Sequence, residues 1–340
     1  MSGLTQSSGP NLILVKTALD KLYDQETIEN TVVGRATATD PIVFTQDTAD
    51  KAAVVSSVIG GGGYFDKQMD DVALQKDATV SAPAPKTTLI ANFKKDLPIS
   101  RTFMADQQQS AVSKAVRQAT KTWVASRDRN AMAVYSGGFA TTTTIDNVYL
   151  FSNSHVNQNG DTVDNLETGV LNDANLNTVI NSLRTQLSQT GVIIGYEPKF
   201  LLTPTALHAT GMQIAKSVLR AQGANNDLNY YSEMFPGMKV VYSPFLDGVS
   251  TTAYFVGSST HGVVRFEREA FFTELVDWRY SDADMYKYKM LLRSARTGSG
   301  IHTRIVFLET SAHPSFGGPR NRNGGSGSVG SRPTKNPGDG

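Results

Sequence analysis

The sequence predicts an α+β protein with one long helix as its main strut, and three observations carry that prediction. Val112, Val116, Ala119 and Trp123 recur at intervals of four, three and four residues, which lines one face of a helix. Leu176, Val179, Ile180, Leu183 and Leu187 make a second apolar helical stripe. Tyr286, Tyr288, Met290 and Leu292 alternate with Lys287, Lys289, Leu291 and Arg293, the two-residue period of a strand.

Residues 1–59 are polar and hold too little apolar mass for a core of their own, so they read as an arm laid across something else. Leu14, Ala18, Leu19 and Leu22 suit a short amphipathic helix, and Ile42, Val43 and Phe44 a small anchor. Gly60–Gly63 is a flexible joint. Chain with an Ala/Pro tip at Ser81–Pro85 and an extended return over Leu89–Ile99 follows, which suggests a long projecting loop over 60–95. The long helix is expected over 106–135. Asp106 and Gln109 stand at capping-box spacing, and Gly137-Gly138 supplies a stop.

Further helices are expected over 175–189 and from Thr203-Pro204 to Gln222-Gly223, the second with Thr203 as its cap. Strands are expected at 192–202, 238–243, 252–257, 262–268, 285–293 and 300–308. From His313 the composition turns to Gly, Ser and Pro. Arg320, Arg322, Arg332 and Lys335 stand there against Asp339, so 313–340 reads as a flexible tail of net charge +3.

With 340 residues and 36.7 kDa the chain is long enough for a large buried core. It has no cysteine, which excludes a disulfide framework, a Cys-ligated zinc, an iron–sulfur cluster and a cysteine nucleophile. Lys and Arg number 32 against 31 Asp and Glu. A strongly basic DNA-wrapping protein is therefore disfavoured, while local basic patches remain open. No stretch approaches the roughly 18–20 apolar residues of a membrane span, and the first residues lack the pattern of a signal peptide. The chain is expected to be soluble, at least before it assembles.

Catalytic and ligand-binding constellations are poorly supported. His155, His208, His261, His302 and His313 form no HExxH or HxH pair, and no cofactor or metal is expected. Ser154-His155 beside Asp161 and Asp164 invites a Ser/His/Asp reading, but no GxSxG elbow holds the serine. His155 reads instead as a turn residue near the Asn159-Gly160 hairpin signal. Tyr230-Tyr231, Phe235, Phe271-Phe272 and Trp278 read as core or interface aromatics rather than base-stacking platforms.

Three segments resemble the tailed-bacteriophage major capsid proteins of the Hong Kong 97 fold, in particular the Mu-like major head subunit group. They are Asp146–His155, Glu197–Leu207 and Met238–Asp247. The first is similar to an Asp-Gly…Leu-Phe-Ser…His segment, with Asn147 in place of the glycine. The second resembles a strand followed by a Pro-containing helix start, and the third a strand–Pro–x–Leu turn leading into Ala253–Val256. The resemblance covers roughly 60–312.

That resemblance implies an N-terminal arm over 1–59 and an extended loop over 60–95. It implies a peripheral domain over 96–195 with a spine helix, an axial domain over 196–261 and a peripheral return over 262–312. It implies homo-oligomerisation into hexamers and pentamers of an icosahedral shell around double-stranded DNA. Partners would be a portal, a separate scaffolding protein, accessory head proteins and the DNA itself, contacted without sequence preference. Some family members join Lys to Asn between subunits; Lys67, Lys76 and Lys86 lie in the proposed loop. The alternatives are an encapsulin-type compartment shell and, from a different class, a soluble hydrolase using His155.

Overall fold

The structure is a computed structural model, and it describes residues 17, 20, 21, 24, 25, 34–56, 85–100, 109–219, 228–248, 250–276, 285–298 and 305–309. The expected arm helix through Leu14 to Leu22, the loop tip, Trp278 and the 313–340 tail lie outside the described residues, in whole or in the side chains that defined them.

In chain order come strands β1 (Thr45–Thr48), β2 (Ala53–Ser56), β3 (Lys86–Leu89) and β4 (Ala91–Ser100), then helix α1 (Gln109–Gly137). Short strands β5 (His155–Val156), β6 (Thr162–Val163) and β7 (Leu166–Thr168) precede α2 (Asp173–Thr185). Next are β8 (Phe200–Thr203), α3 (His208–Lys216), α4 (Tyr230–Met234), β9 (Lys239–Tyr242) and β10 (Tyr254–Gly257). The last described elements are β11 (Val263–Val276), β12 (Met285–Gly298) and β13 (Ile305–Glu309).

Helix α1 has 29 residues and so runs for about 43 Å at about 1.5 Å per residue. It stops at the expected glycines, where the Gly137 carbonyl accepts from the N–H groups of Ala140, Thr141 and Thr142. A Cβ on Gly138 would sit 2.3 Å from the Phe151 ring, so close packing of that ring requires glycine there. The first part of α1 buries Val116, Trp123 and Val124 against Tyr288, Met290 and Leu292. These belong to a four-stranded sheet of order β1-β11-β12-β4. Its edge strand β4 pairs with β12 over ten residues and carries Pro98, which an edge tolerates because no ladder bond is lost.

The far end of α1 meets a second sheet, of order β7-β13-β10-β8-β9. Successive residues of its central strands point to opposite faces, and both faces are covered. Phe200, Leu202, Val241 and Phe255 pack on Met132, Val134 and Tyr135 of α1 and on Ala36, Ala38, Val43 and Phe44 of the arm. Leu201, Val240, Tyr254 and Val256 pack on the other side against Leu176, Val179, Ile180 and Leu183 of α2 and on Ile214 and Tyr231. Two-sided burial explains why β8 and β10 read as unbroken apolar runs rather than alternating ones.

The structure corrects three expectations. The strand expected at 192–202 begins only at Phe200, because Gly191 and Gly195 take positive φ and Pro198 follows; Ile193 and Ile194 are exposed. The helix expected to reach Gln222-Gly223 ends at Lys216, with Ser217 extended. Its proposed cap, Thr203, lies in β8 and donates to the Val241 carbonyl. The turn instead opens at Thr205, whose N–H is held by Asp247 Oδ1 at 2.7 Å. Strands β11 and β12 continue to Val276 and Gly298, past the expected 268 and 293, with irregular register between Glu267 and Phe272.

Candidate functional site

Three features of the described residues stand out: an arm anchor, a loop stem and a buried loop network. The arm is fastened to α1 from below. Asp128, buried on α1, accepts the N–H of Ala38 at 3.0 Å and lies 3.7 Å from Arg35 and 3.6 Å from Arg127. Burial pushes its carboxyl pKa up, against the pull of Ala38 and the two guanidinium groups. About two turns further on, the Tyr135 hydroxyl donates to the Val43 carbonyl at 2.7 Å. Beyond the anchor, Gln46 bridges the Ala38 carbonyl and Arg265, and β1 pairs in parallel with β11. Asp20 also reaches the sheet, accepting from Tyr288 at 3.2 Å and from Thr273.

Strands β2 and β3 pair antiparallel, Ala53 opposite Leu89 and Ser56 opposite Lys86, and so form the stem from which residues 57–84 depart. Val55 is 61% exposed and Leu89 75%. A second set of exposed apolar side chains sits around α3 and α4: Met212, Val218, Leu228 and Met234, near the bridge between Leu219 and Leu228.

His155 begins β5 and its side chain is fully buried, so it is a strand residue in a closed network and not a turn residue. Its Nδ1 lies 2.8 Å from Asp146 Oδ2 and its Nε2 3.3 Å from the Leu150 carbonyl. Asp146 and the Leu150 carbonyl hold the ring from its two nitrogens, the contact to Asp146 being the shorter. Asp146 also accepts from Thr144 and from the Val148 N–H. Nearby, Lys86 on β3 donates to the Thr143 carbonyl, which ties the loop stem to this loop. Burial lowers the Lys86 pKa, partly offset by Asp146.

The hydrolase constellation does not form. Ser154 Oγ faces Ser152 Oγ at 2.8 Å, Asp161 takes the Asn157 amide, and Asp164 caps the Leu166 N–H. Among the described residues no group of His, Asp and Glu is placed to hold a metal ion, and no helix is long and apolar enough to cross a membrane. Of the lysines in the proposed loop, Lys86 is in the stem, while Lys67 and Lys76 lie outside the described residues. The aromatics divide: Tyr231 and Phe235 are core, Tyr230 and Phe272 are half exposed. Asp128 was not singled out from sequence, although a lone acid among five cations on one helix was a usable signal.

Burial raises the Asp146 carboxyl pKa, but its bonds to His155 and Thr144, the charge of His155 and the Val148 N–H outweigh this and hold it below the ordinary value. A depressed carboxylate adds stability that is complete above the unfolded-chain pKa and is lost as pH falls through the folded one. Asp146→Ala is expected to cost about 2 kcal/mol at neutral pH. Asp146→Asn is expected to flatten the acid limb of stability against pH. Urea unfolding at pH 7 and pH 3 reads both; an unchanged acid limb contradicts the role given to Asp146.

No curated protein sequence matches the chain. Among solved structures, the capsid of the native GTA particle computed with C5 symmetry is similar, with a TM-score of 0.52 at 11% identity over 83% of this chain and 94% of that one. The virus-like particle from Pyrococcus furiosus gives 0.50 at 12% identity over 87% and 99%. A chain of Mycobacterium phage Cain gives 0.48 at 14% identity over 84% and 94%. The first two likenesses show the fold. A family model described as phage capsid protein matches residues 83–294, more than half of the chain, from β3 through α1 and most strands of both sheets into β12. The chain therefore belongs to the phage capsid protein family.

Proposed function

We propose that this chain is the major head subunit of a tailed bacteriophage, which self-assembles into hexamers and pentamers of an icosahedral shell enclosing double-stranded DNA. The observation that carries the reading, beside the family, is the exposed apolar surface on the loop stem and beside α3 and α4. Val55 and Leu89 on the loop stem, and Val218 and Leu228 at 70% and 69% exposure near α3 and α4, are apolar surface of the kind that a neighbouring subunit covers. Obligate interfaces of this kind commonly bury about 2,000–5,000 Å².

In this reading residues 1–59 are the arm, 60–95 the extended loop, 96–195 and 262–312 the peripheral domain, and 196–261 the axial domain. Strand β13 is then the segment that leaves the peripheral return and joins the five-stranded sheet beside β10. The chain works with a scaffolding protein, a portal and accessory head proteins during assembly in the host cytoplasm. Its work is mechanical, and the Asp146–His155 network is a structural brace at the root of the loop.

Deleting residues 66–84 tests the proposal. The shortened chain is expected to keep its unfolding midpoint within a few degrees and to form far fewer shells, read by light scattering after size exclusion. Shells of normal stability from the shortened chain would remove the loop from the assembly mechanism.

A further inference from the structure

We propose that residues 34–44 are an acid-released strap, held down by the neutral ring of His261 and freed when that ring takes up a proton. The inference goes beyond the shell reading, since the device is built into the single chain. Residues 34–36 lie along the outer edge of β9, the end strand of the five-stranded sheet. There the Gly34 carbonyl accepts the Tyr242 N–H and the Ala36 N–H donates to the Tyr242 carbonyl, both at 2.8 Å. Ala36, Ala38, Val43 and Phe44 are fully buried against that sheet and α1. The rest of the strap is fastened by side chains that come from outside it. Asp128 takes the Ala38 N–H, Tyr135 reaches the Val43 carbonyl, and His261 reaches the backbone of Ile42.

His261 sits between β10 and β11 and is only 3% exposed. Phe200 of β8 meets its ring edge-on at 5.4 Å. The ring donates to the Ile42 carbonyl, while its Nδ1 is buried without a hydrogen-bond partner among the described residues. A neutral ring suits this arrangement, with its proton on Nε2 and a bare Nδ1. A charged ring carries an N–H on both nitrogens, and the second would be buried with nothing to accept it. Burial accordingly lowers the His261 pKa, against the pull of the Ile42 bond. A histidine whose folded pKa lies below its released value adds stability that is complete above the released pKa. That stability fades as pH falls from there toward the folded one. Acid therefore favours the state in which the ring has left its pocket and Ile42 is free.

The other titratable and charged groups that hold the strap do not supply this response. Asp40, on the strap itself, is turned to the Ile42 N–H at 3.0 Å, and its charge is not among the causes acting on His261. Strand β8 carries no titratable side chain. Asp128 on α1 has its carboxyl pKa raised by burial, so the native chain takes up that proton more readily and acid strengthens this side of the strap. Tyr135 stays neutral, its hydroxyl pKa pushed up by burial. Arg35, Arg127 and Arg265 keep their charge throughout. His208 of α3 is the second histidine at the strap: its ring lies 4.7 Å from that of Tyr242, and a Cβ on Gly34 would meet its Nε2 at 3.5 Å. The test separates the two histidines.

Native-state hydrogen exchange on the unassembled full-length chain, corrected for the intrinsic rate at each pH, reads the opening of the strap. The opening constant of the 35–44 amides is expected to be several-fold larger at about pH 5.5 than at about pH 7.5, with about tenfold as the ceiling for one histidine. The amides of β8 and β10 should change far less. His261→Gln keeps a side-chain N–H for Ile42 and removes the titration, so its strap should open equally at the two pH values. His208→Gln should keep the parent response. In the parent, the His261 ring followed by NMR should titrate below the ordinary histidine value, a readout that needs no variant to fold. Equal opening at both pH values in the parent overturns the proposal, as does a His261 ring that titrates at or above the ordinary value. So does a response that survives in His261→Gln or that is lost in His208→Gln. Because opening is read on the unassembled chain, its failure leaves the shell reading intact, and a chain that never assembles leaves the strap result intact.

Discussion

Replacing Asp128 by Ala is expected to lower the unfolding free energy by about 3–5 kcal/mol, the usual cost of removing one member of a buried charge cluster. The substitution strands the Ala38 N–H without its acceptor and leaves Arg35 and Arg127 facing each other where a carboxylate stood. It also cuts a tie across 90 residues of sequence, between the arm and the long helix. Residues 35–44 should then exchange amide protons much faster, ahead of global unfolding. Asp128→Asn is expected to cost less, because the amide oxygen still accepts from Ala38 and no charge needs burying, the penalty that raises the carboxyl pKa in the native chain. Denaturant unfolding of the two variants decides the matter. Equal losses for Ala and Asn would mean that the backbone bond to Ala38 contributes little.

Phe255→Ala is expected to cost about 3–5 kcal/mol. Its ring is almost wholly buried at the meeting point of three parts of the chain: 5.2 Å from the Tyr135 ring of α1, 5.3 Å from Phe151 and 6.3 Å from Phe139. Tyr135 in turn packs edge-on against Phe44 of the arm at 5.7 Å. Surroundings drawn from β10, α1, the 138–151 loop and the arm collapse poorly into a void, which places the cost at the upper end. Tyr135→Phe keeps this packing and removes only the bond to Val43, so about 1 kcal/mol is expected. The contrast between the two variants separates packing from hydrogen bonding at the arm anchor.

The sequence disclosed those parts of the fold that are set by local periodicity. Helix α1 was legible because an apolar face repeats over many turns and ends at glycines. The anchor role of Val43 and Phe44 was legible from their isolation in a polar arm, but not what they anchor to, which lies on α1 and the second sheet. Val192, Ile193 and Ile194 look like strand, and only the positive φ of the flanking Gly191 and Gly195 shows that they are loop. The end of α3 was hidden for a different reason. Asn229 donates to the carbonyls of Ile214 and Ser217, closing the helix from a distance that no local pattern encodes. His155 was misplaced in the same way, since its partners Asp146 and Leu150 come together only when the loop closes.

In the shell reading this chain works as a subunit and not as a monomer. Electron microscopy of the purified full-length chain at rising concentration decides this. Closed shells are expected, or hexameric and pentameric rings where a scaffold is lacking, with the fraction assembled rising steeply with concentration. A monodisperse monomer that persists at high concentration, with Val55, Leu89, Val218 and Leu228 still open to solvent, would contradict it.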